Sequence, residues 1–192
     1  LPPGFWLSFH DEIDSTNAEG IRLASGGEEG GLWIWAARQN AGRGRAGRNW
    51  TSETGNLYAS LLLRPQVPLT TASQLSLLAG VAAFEAVAAL AATSRAAPAL
   101  QLKWPNDVLV DGAKLGGILL ESTSSAADAS PAVVIGTGIN LAHAPDDLGR
   151  PATSLNRLGL SVAPAQAMAA LVWSMADWLR QWDSGRRFAE IR

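Results

Sequence analysis

The sequence predicts an α+β domain with a mixed, largely antiparallel sheet packed with helices. Short apolar runs typical of strands alternate with three helical patterns along the chain. The dipeptide Asp111-Gly112 separates two of those runs, as in a β-hairpin turn. Apolar residues make up 47% and charged residues 17% of the 192 residues, so one sizeable core is expected.

Three segments have helical patterns. Thr16 and Glu19 have the spacing of a capping box, which predicts a short helix from about residue 17 to 25. The Ala-rich segment 73–92 is expected to be a buried core helix, because its length and an internal charge argue against a membrane span. The third helix, residues 164–182, begins with a proline in its first turn. Its apolar residues at helical spacing predict a core-facing stripe of Met168, Leu171, Met175, Trp178 and Trp182.

The remaining apolar runs predict strands joined by polar loops. The strands are residues 32–37, 57–63, 100–104, 108–110, 114–121 and 132–136, the last continuing to 141. Residues 38–55 are rich in glycine and arginine and lack periodicity, so they are predicted to form a long loop. A second polar loop is predicted at residues 122–130.

Charge and residue usage exclude several classes of protein. The net charge of −2 gives no indication of bulk nucleic-acid or membrane binding. The chain has no cysteine, which excludes disulfides and thiolate metal sites and fits a reducing cytoplasm. Its histidines are His10 and His143, so a histidine-rich metal site is not expected either. We therefore expect a cytoplasmic protein whose site residues include no metal ligands.

Residues 42–48, Gly-Arg-Gly-Arg-Ala-Gly-Arg, are the most unusual part of the chain. Glycines let a backbone approach a ligand closely, and arginines bind phosphate or carboxylate, so this Gly–Arg loop suits an anion. It also fits G-x-G-x-x-G, but neither a helix pattern nor an acidic strand end follows, which disfavours a dinucleotide fold. An RNA-binding segment and a mobile surface loop remain as alternatives.

Three further segments contain polar residues that suit a binding site. In residues 103–107, Asn106 suits a base or ribose and Asp107 a Mg²⁺–phosphate group, although a polar turn is favoured from this segment alone. Lys114 suits the neutralisation of a carboxylate and a phosphate as they react, and the alternative is an ordinary exposed lysine. Asn140 follows a run of small residues and could face a cleft, or it could belong to a β-bulge with its amide hydrogen-bonded.

The order of these segments resembles the catalytic domain of the bacterial biotin protein ligases. The resemblance covers residues 9–182 and rests on Asp14-Ser15-Thr16-Asn17, on Gln39 with residues 42–48, and on residues 103–107, 114–121 and 136–141. It implies the biotin/lipoate protein ligase catalytic-domain fold. It also implies a ligase that forms biotinoyl-AMP from biotin and ATP and transfers biotin to a lysine of a biotin carboxyl carrier protein. Lipoate ligases resemble this family in fold but lack the Gly–Arg loop and the Lys-Trp-Pro-Asn-Asp turn.

The resemblance implies a role for each site residue. The uncharged ureido ring of biotin would be held by Ser15, Thr16, Asn17 and Gln39. The biotin tail and acyl phosphate would be wrapped by Arg43, Gly44 and Arg45, with Trp50 flanking the bicyclic ring. Lys114 would contact the biotin carboxylate and the α-phosphate, and it is predicted to be catalytic together with Arg45. ATP or its Mg²⁺ would be contacted by Arg43, Arg48, Asn106, Asp107, Lys114 and Asn140.

Two departures from the family pattern affect the expected domain organisation and activity. Ala46 stands where many members carry a further arginine, which is expected to be tolerated. The chain ends at Arg192, where members usually continue into a small β-barrel domain, and no helix-turn-helix domain precedes Phe9. Residues 1–192 are therefore expected to be the catalytic domain alone, without a repressor role.

The expected partners are the carrier domain, biotin and ATP, with neither nucleic acid nor membrane, and a homodimer is left open. The rival interpretation from another class is a biotin-binding module without turnover. Lys114 and the loop arginines argue for an enzyme, because a protein that only binds biotin would not need them.

Overall fold

Seven strands form one sheet in the order β1-β2-β3-β7-β6-β5-β4 in the computed structural model of the protein, which describes residues 1–92, 99–123, 131–146 and 149–190. The strands are β1 Trp6–Ile13, β2 Leu32–Gln39, β3 Leu57–Leu63, β4 Leu100–Lys103, β5 Asp107–Val110, β6 Ala113–Thr123 and β7 Ala132–Ile139. The helices are α1 Thr16–Ser25, the single turn α2 Leu69–Ala72, α3 Leu75–Ala91 and α4 Pro164–Trp182.

Strand pairing confirms the predicted fold class. β1 and β2 are parallel, and the other five neighbouring pairs are antiparallel. The sequence did not predict β1, and the exposure of its side chains explains why. Trp6, Leu7 and Phe9 of this edge strand are all exposed, so the strand has no buried face to produce an alternating pattern.

The two faces of the sheet carry different layers. The larger core packs α3 and α4 against one face. On the other face, α1 covers a small second cluster that includes Ile34 and Val134. Gly20 allows this helix to lie close, because a Cβ there would come within 2.8 Å of Val134 Cγ1. The face that carries α1 is also the one that forms the site.

Several predicted boundaries change in the structure. The N-cap of α1 is Ser15, whose Oγ accepts from the Ala18 amide at 3.4 Å, so the capping box predicted at Thr16 is wrong by one residue. The helix predicted from residue 73 begins at Leu75, after the separate turn α2. β2 continues to Gln39, into the predicted loop. The predicted polar loop loses residues 122 and 123 to β6, and its remaining residues lie outside the described part of the chain.

Other elements agree with the sequence. α4 has the predicted bounds, and four residues of its predicted stripe are buried: Met168, Leu171, Met175 and Trp182. Asp111 and Gly112 have φ values of 49° and 78°, as a tight hairpin turn between β5 and β6 requires. Residues 69–91 are long and apolar enough to cross a membrane, yet 50% of their most apolar window is buried inside the fold. α3 packs between the sheet and α4, which confirms a core helix.

Candidate active site

A cavity of about 950 Å³ opens on the α1 face of the sheet. Its floor consists of β6 and β7, where glycines leave room for other groups. A Cβ on Gly136 would lie 2.1 Å from Asn17 Oδ1, and a Cβ on Gly138 would lie 2.7 Å from the Trp50 indole. Glycine is therefore required at both positions by close approach of a side chain from another element.

One end of the cavity, which we call the ring end, is built from uncharged polar groups. Gln39 Oε1 accepts from the Thr16 amide at 2.8 Å and from Thr16 Oγ1 at 3.1 Å. Gln39 Nε2 donates to Ser52 Oγ at 2.8 Å. The buried Ser60 hydroxyl lies 2.6 Å from Asn17 Oδ1 and 2.8 Å from Thr16 Oγ1. These groups hydrogen-bond to one another, and such a network favours one arrangement of its side chains.

Glu121 joins the ring end to the Gly–Arg loop. Its Oε2 accepts from Asn17 Nδ2 at 2.8 Å and from an Arg43 guanidinium nitrogen at 2.9 Å. Asn17 Nδ2 also lies 3.2 Å from the Leu119 carbonyl oxygen. The first arginine of the loop is therefore fixed to the network that surrounds Asn17.

The Gly–Arg loop is a tight hairpin across the cavity. The Gly44 amide donates to the Arg48 carbonyl at 2.7 Å, and the Trp50 amide donates to the Gly42 carbonyl at 2.9 Å. Gly47 has φ 70°, and Ala46 beside it has φ 55°. The loop leads into β3 rather than into a helix, so the dinucleotide-fold interpretation is wrong.

The other end, which we call the phosphate end, contains a buried lysine. Lys114 is 7% exposed, and its Nζ binds Asp107 Oδ1. Burial lowers the pKa of Lys114, while the paired carboxylate acts in the opposite direction. Its Nζ also lies 5.2 Å from the centroid of the Trp50 ring. The interpretation of Lys114 as an ordinary exposed lysine is therefore wrong.

Residues 150–153 complete the phosphate end beside β6. The Arg150 guanidinium donates to Asp107 Oδ2 at 3.2 Å, so both oxygens of this carboxylate have cationic partners. The Lys114 amide donates to the Pro151 carbonyl and its carbonyl accepts from the Thr153 amide, each at 2.9 Å. The backbone of the lysine is thus held on this side by a segment distant in sequence.

Two asparagines predicted at the site are held by backbone groups. Arg45 donates to Asn106 Oδ1 at 3.0 Å, and Asn106 Nδ2 donates to the Ile118 carbonyl at 2.9 Å. Asn140 Nδ2 donates to the Thr153 carbonyl at 3.1 Å. The side-chain amide of Asn140 therefore has a hydrogen-bond partner. However, β7 pairs with β3 and β6 without a register shift, so the predicted alternative of a β-bulge is wrong.

The structure brings nearly all the predicted site residues to this one cavity. Its lining includes Ser15, Thr16, Asn17, Gln39, Arg43, Gly44, Arg45, Arg48, Trp50, Asn106, Lys114 and Asn140. Asp107 is the exception, because it lies behind Lys114 with both oxygens engaged. Trp50, predicted beside the bicyclic ring, packs over Gly138 next to Lys114.

Sequence reasoning missed Tyr58, Ser60 and Arg150 around the cavity. Tyr58 and Ser60 lie two residues apart on β3, and this spacing was a signal that the first half of one strand face is polar. Burial raises the pKa of Tyr58 to about 12, so its hydroxyl stays protonated and donates to the Glu53 carbonyl at 2.9 Å. Arg150 lies in an irregular segment, where no pattern marks it.

The family model described as "Biotin/lipoate A/B protein ligase family" matches residues 11–140. The chain therefore belongs to the biotin/lipoate A/B protein ligase family. It is 42% identical over 185 residues to the biotin–[acetyl-CoA-carboxylase] ligase of Paracoccus denitrificans, and this match covers 93% of the chain and 75% of that relative. The chain spans 47% of the bifunctional ligase/repressors of two Bacillus species.

Solved structures of biotin protein ligases are similar across nearly the whole chain. The Leishmania major protein in complex with biotinyl-5-AMP has a TM-score of 0.78 and 29% identity, with 100% of this chain and 82% of that chain covered. The Aquifex aeolicus protein in complex with biotin and ATP has a TM-score of 0.76 and 29% identity, with 96% and 74% covered. The resemblance to the biotin protein ligases is thereby confirmed.

Proposed function

We propose that this chain is an ATP-dependent biotin protein ligase. It forms biotinoyl-AMP from biotin and ATP and transfers biotin to a lysine of a biotin carboxyl carrier domain. The observation that carries this proposal is one cavity with an uncharged polar ring end and a cationic phosphate end. The similar proteins bound to biotin with ATP, or to biotinyl-5-AMP, support the same substrates.

In the first step, a carboxylate oxygen of biotin attacks the α-phosphorus of ATP. The bond from that phosphorus to the oxygen bridging to the β-phosphate breaks, and pyrophosphate leaves. Carboxylate and phosphate repel each other, so the step needs fixed positive charge. Lys114 supplies it at the reacting atoms, and Arg45 supplies it from the loop, in a cavity that holds both reactants in line.

The ring end orients biotin for this attack. The ureido group is polar and uncharged, and it needs both donors and acceptors. We assign it to Ser15, Thr16, Asn17 and Gln39, whose side chains lie together at the start of α1. Arg43 and Gly44 then cover the biotin tail.

The nucleotide occupies the phosphate end. We assign contacts with ATP to Arg48, Asn106 and Asn140, which line this part of the cavity, and to Arg43 and Lys114. In the second step, the carrier lysine amine attacks the acyl carbon, and AMP leaves with the oxygen of the mixed anhydride. The Gly–Arg loop protects the adenylate from water between the two steps.

Mg²⁺ is expected to bind as a complex with ATP rather than in a separate site formed by protein side chains. Within the described part of the chain, no group of three or more His, Cys, Asp or Glu side chains could hold a metal ion. Both oxygens of Asp107 already have cationic partners. The residues therefore do not fit a protein-held Mg²⁺, and the phosphates and water would supply most of its ligands.

The proposal also covers the location, the domain organisation and the partners of the protein. We place the reaction in the cytoplasm, with residues 1–192 forming the catalytic domain and the carrier domain as protein partner. The single continuous sheet supports one domain. A homodimer and the absence of nucleic-acid partners stay predictions.

Incubation of the protein with biotin, ATP and Mg²⁺, followed by mass spectrometry and a pyrophosphate assay, tests the first step. We expect biotinoyl-AMP and biotin-dependent pyrophosphate release. A competition with lipoate should leave biotinoyl-AMP as the main adenylate. Predominant lipoyl-AMP would contradict the substrate, and biotin binding without any adenylate would favour the binding module. Addition of a carrier domain should then give a biotinylated lysine.

A further inference from the structure

Arg150 is a cation at the phosphate end that has no role in the mechanism proposed above. It lines the cavity and is 39% exposed at its side chain. Its guanidinium nitrogen lies 3.2 Å from Asp107 Oδ2, and Lys114 binds the other oxygen of that carboxylate. One aspartate therefore holds two cations side by side, on strand β6 and on the segment that follows β7.

The two cations differ in depth. Lys114 is 7% exposed and lies against the sheet, where the reacting carboxylate and α-phosphate are proposed to meet. Arg150 lies on the far side of Asp107 and is far more accessible. A guanidinium has five N–H donors, and the Asp107 contact takes one of them, so the planar group retains donors for a second anion.

We propose that Arg150 is a catalytic residue that binds the β- and γ-phosphates of ATP, which leave as pyrophosphate, and that Asp107 is the residue that positions it. This inference rests on the proposed function. Negative charge builds up on pyrophosphate as its bond to the α-phosphorus breaks. A fixed cation beside that group therefore stabilises the transition state more than the bound substrate.

The neighbouring arginines are less suited to this role. Arg43 is bound to Glu121, and Arg45 is bound to Asn106. Arg48 also lines the cavity and is assigned to ATP, but Arg150 is the arginine that shares a carboxylate with Lys114. The cluster of Lys114, Asp107 and Arg150 carries two positive charges and one negative charge, which leaves one net positive charge to attract the triphosphate. Because Asp107 fixes the guanidinium in advance, little side-chain freedom is lost on binding.

Arg150 could instead only hold the segment around residues 149–155 in place. That segment supports Lys114 and Asn140 through backbone contacts, so its displacement would weaken every nucleotide ligand. A contact with the leaving phosphates predicts a selective effect: pyrophosphate and ATP lose affinity, while AMP and biotinoyl-AMP do not. The two roles are therefore separable by direct binding.

The experiment compares Arg150→Ala and Arg150→Lys with wild type and with Arg180→Ala. Arg180 is an exposed arginine on α4 that pairs with Asp177 away from the cavity, so it controls for loss of a surface ion pair. Calorimetry measures the affinities of pyrophosphate and AMP, and steady-state kinetics measures adenylation. We expect Arg150→Ala to weaken pyrophosphate about 10- to 100-fold, the range of a hydrogen bond to a charged group. AMP affinity should change less than about 2-fold, and Arg150→Lys should restore part of the loss.

An equal loss of AMP and pyrophosphate affinity in Arg150→Ala would overturn the inference in favour of a structural role. Unchanged pyrophosphate affinity would overturn it as well. Failure of wild type to form biotinoyl-AMP would count against the proposed function. By contrast, if wild type forms biotinoyl-AMP and Arg150→Ala has the same pyrophosphate affinity and adenylation rate, only the inference about Arg150 would be contradicted.

Discussion

Different interactions stabilise the ring end and the phosphate end of the cavity. At the ring end, Thr16, Asn17 and Ser60 are buried and uncharged, and they hydrogen-bond to one another. At the phosphate end, Lys114 and Arg150 each bind one oxygen of the Asp107 carboxylate, and a loop rich in arginine lines the same cavity. One end is an ordered neutral network, and the other is a cluster of charges with an excess of cations.

This difference suggests how the cavity divides its work. A neutral network that is already satisfied can recognise a neutral ring with little reorganisation, because its groups are in place beforehand. An excess of cations is suited to ligands that are strongly anionic. Changes at the ring end should therefore affect mainly biotin affinity, whereas changes at the phosphate end should affect mainly the rate of adenylation.

The largest effect is expected for Lys114→Ala. The change removes the buried cation at the reacting atoms, and adenylation should slow by on the order of 100- to 1,000-fold, as for loss of one preorganised charge-stabilising group. Lys114→Arg should recover only part of the rate, because a planar fork does not replace a compact ammonium. The rate of biotinoyl-AMP formation in a single turnover measures the effect of each substitution. A rate equal to wild type in Lys114→Ala would remove the residue from the reaction.

Gly136→Ala and Gly138→Ala form a matched pair on β7. The new Cβ at Gly136 would lie 2.1 Å from Asn17 Oδ1, in a network with no room to move. Overpacking there should cost about 1 to 3 kcal/mol of folding stability, and the displacement of Asn17 should weaken biotin binding. The new Cβ at Gly138 would meet Trp50, which belongs to a loop and can shift.

Calorimetry of biotin binding should therefore show the greater loss for Gly136→Ala, while the adenylation rate should suffer more in Gly138→Ala. Equal losses of biotin affinity in the two variants would contradict the division of the cavity into two ends. The free energy of unfolding of each variant, from urea titration, separates a local effect from a loss of folding.

Glu121→Gln tests the link between the ring end and the Gly–Arg loop. The change removes the negative charge that holds Arg43 but keeps an oxygen near Asn17. Since this ion pair is partly exposed, we expect a loss of about 1 kcal/mol or less in biotin affinity. Hydrogen exchange of residues 43–50 should become faster without ligand and slow down again when biotin and ATP bind. Glu12→Gln, which disturbs an ion pair with Arg38 away from the cavity, is the control, and identical exchange in Glu121→Gln and wild type would contradict the link.

The sequence predicted the parts of the fold that have a strong local pattern. β3 and α4 have the predicted bounds, because apolar runs there are limited by Pro65 on one side and by Pro164 on the other. β1 has neither a buried face nor an alternating pattern, so its place at the sheet edge depends on pairing with β2.

The site, too, could be predicted from the sequence only where its residues form local motifs. The Gly–Arg loop and the residues at the start of α1 form local motifs, and the structure brings them to one cavity. Arg150 and its partner Asp107 are 43 residues apart, and only the folded sheet brings them together. Glu121 was part of a motif, but its contacts with Asn17 and Arg43 span 104 and 78 residues. Such long-range contacts leave no periodic signal in the sequence.

The smallest effect is expected for Asp14→Asn, just outside the ring end. Asp14 receives two hydrogen bonds from the Arg22 guanidinium, each at 2.8 Å, and these lower the pKa of its carboxyl to about 2. A carboxyl with a lowered pKa stabilises the folded state above its unfolded pKa of about 4, and this contribution is lost as the pH falls towards 2. Because the Asp14 side chain is 44% exposed, solvent screens the pair, and we expect about 1 kcal/mol or less at pH 7.

Urea titration of Asp14→Asn and wild type at a series of pH values measures this contribution. The difference in free energy of unfolding should be greatest near neutral pH and should shrink below about pH 4, because protonation of Asp14 removes the same charge as the substitution. A difference that stays constant across this range would show that the ion pair is not its cause. Biotin affinity should change by less than about 2-fold at pH 7, since Asp14 does not line the cavity and asparagine retains an acceptor for the Ser15 amide. A larger loss of biotin affinity would show that the ring end depends on charges outside its neutral network.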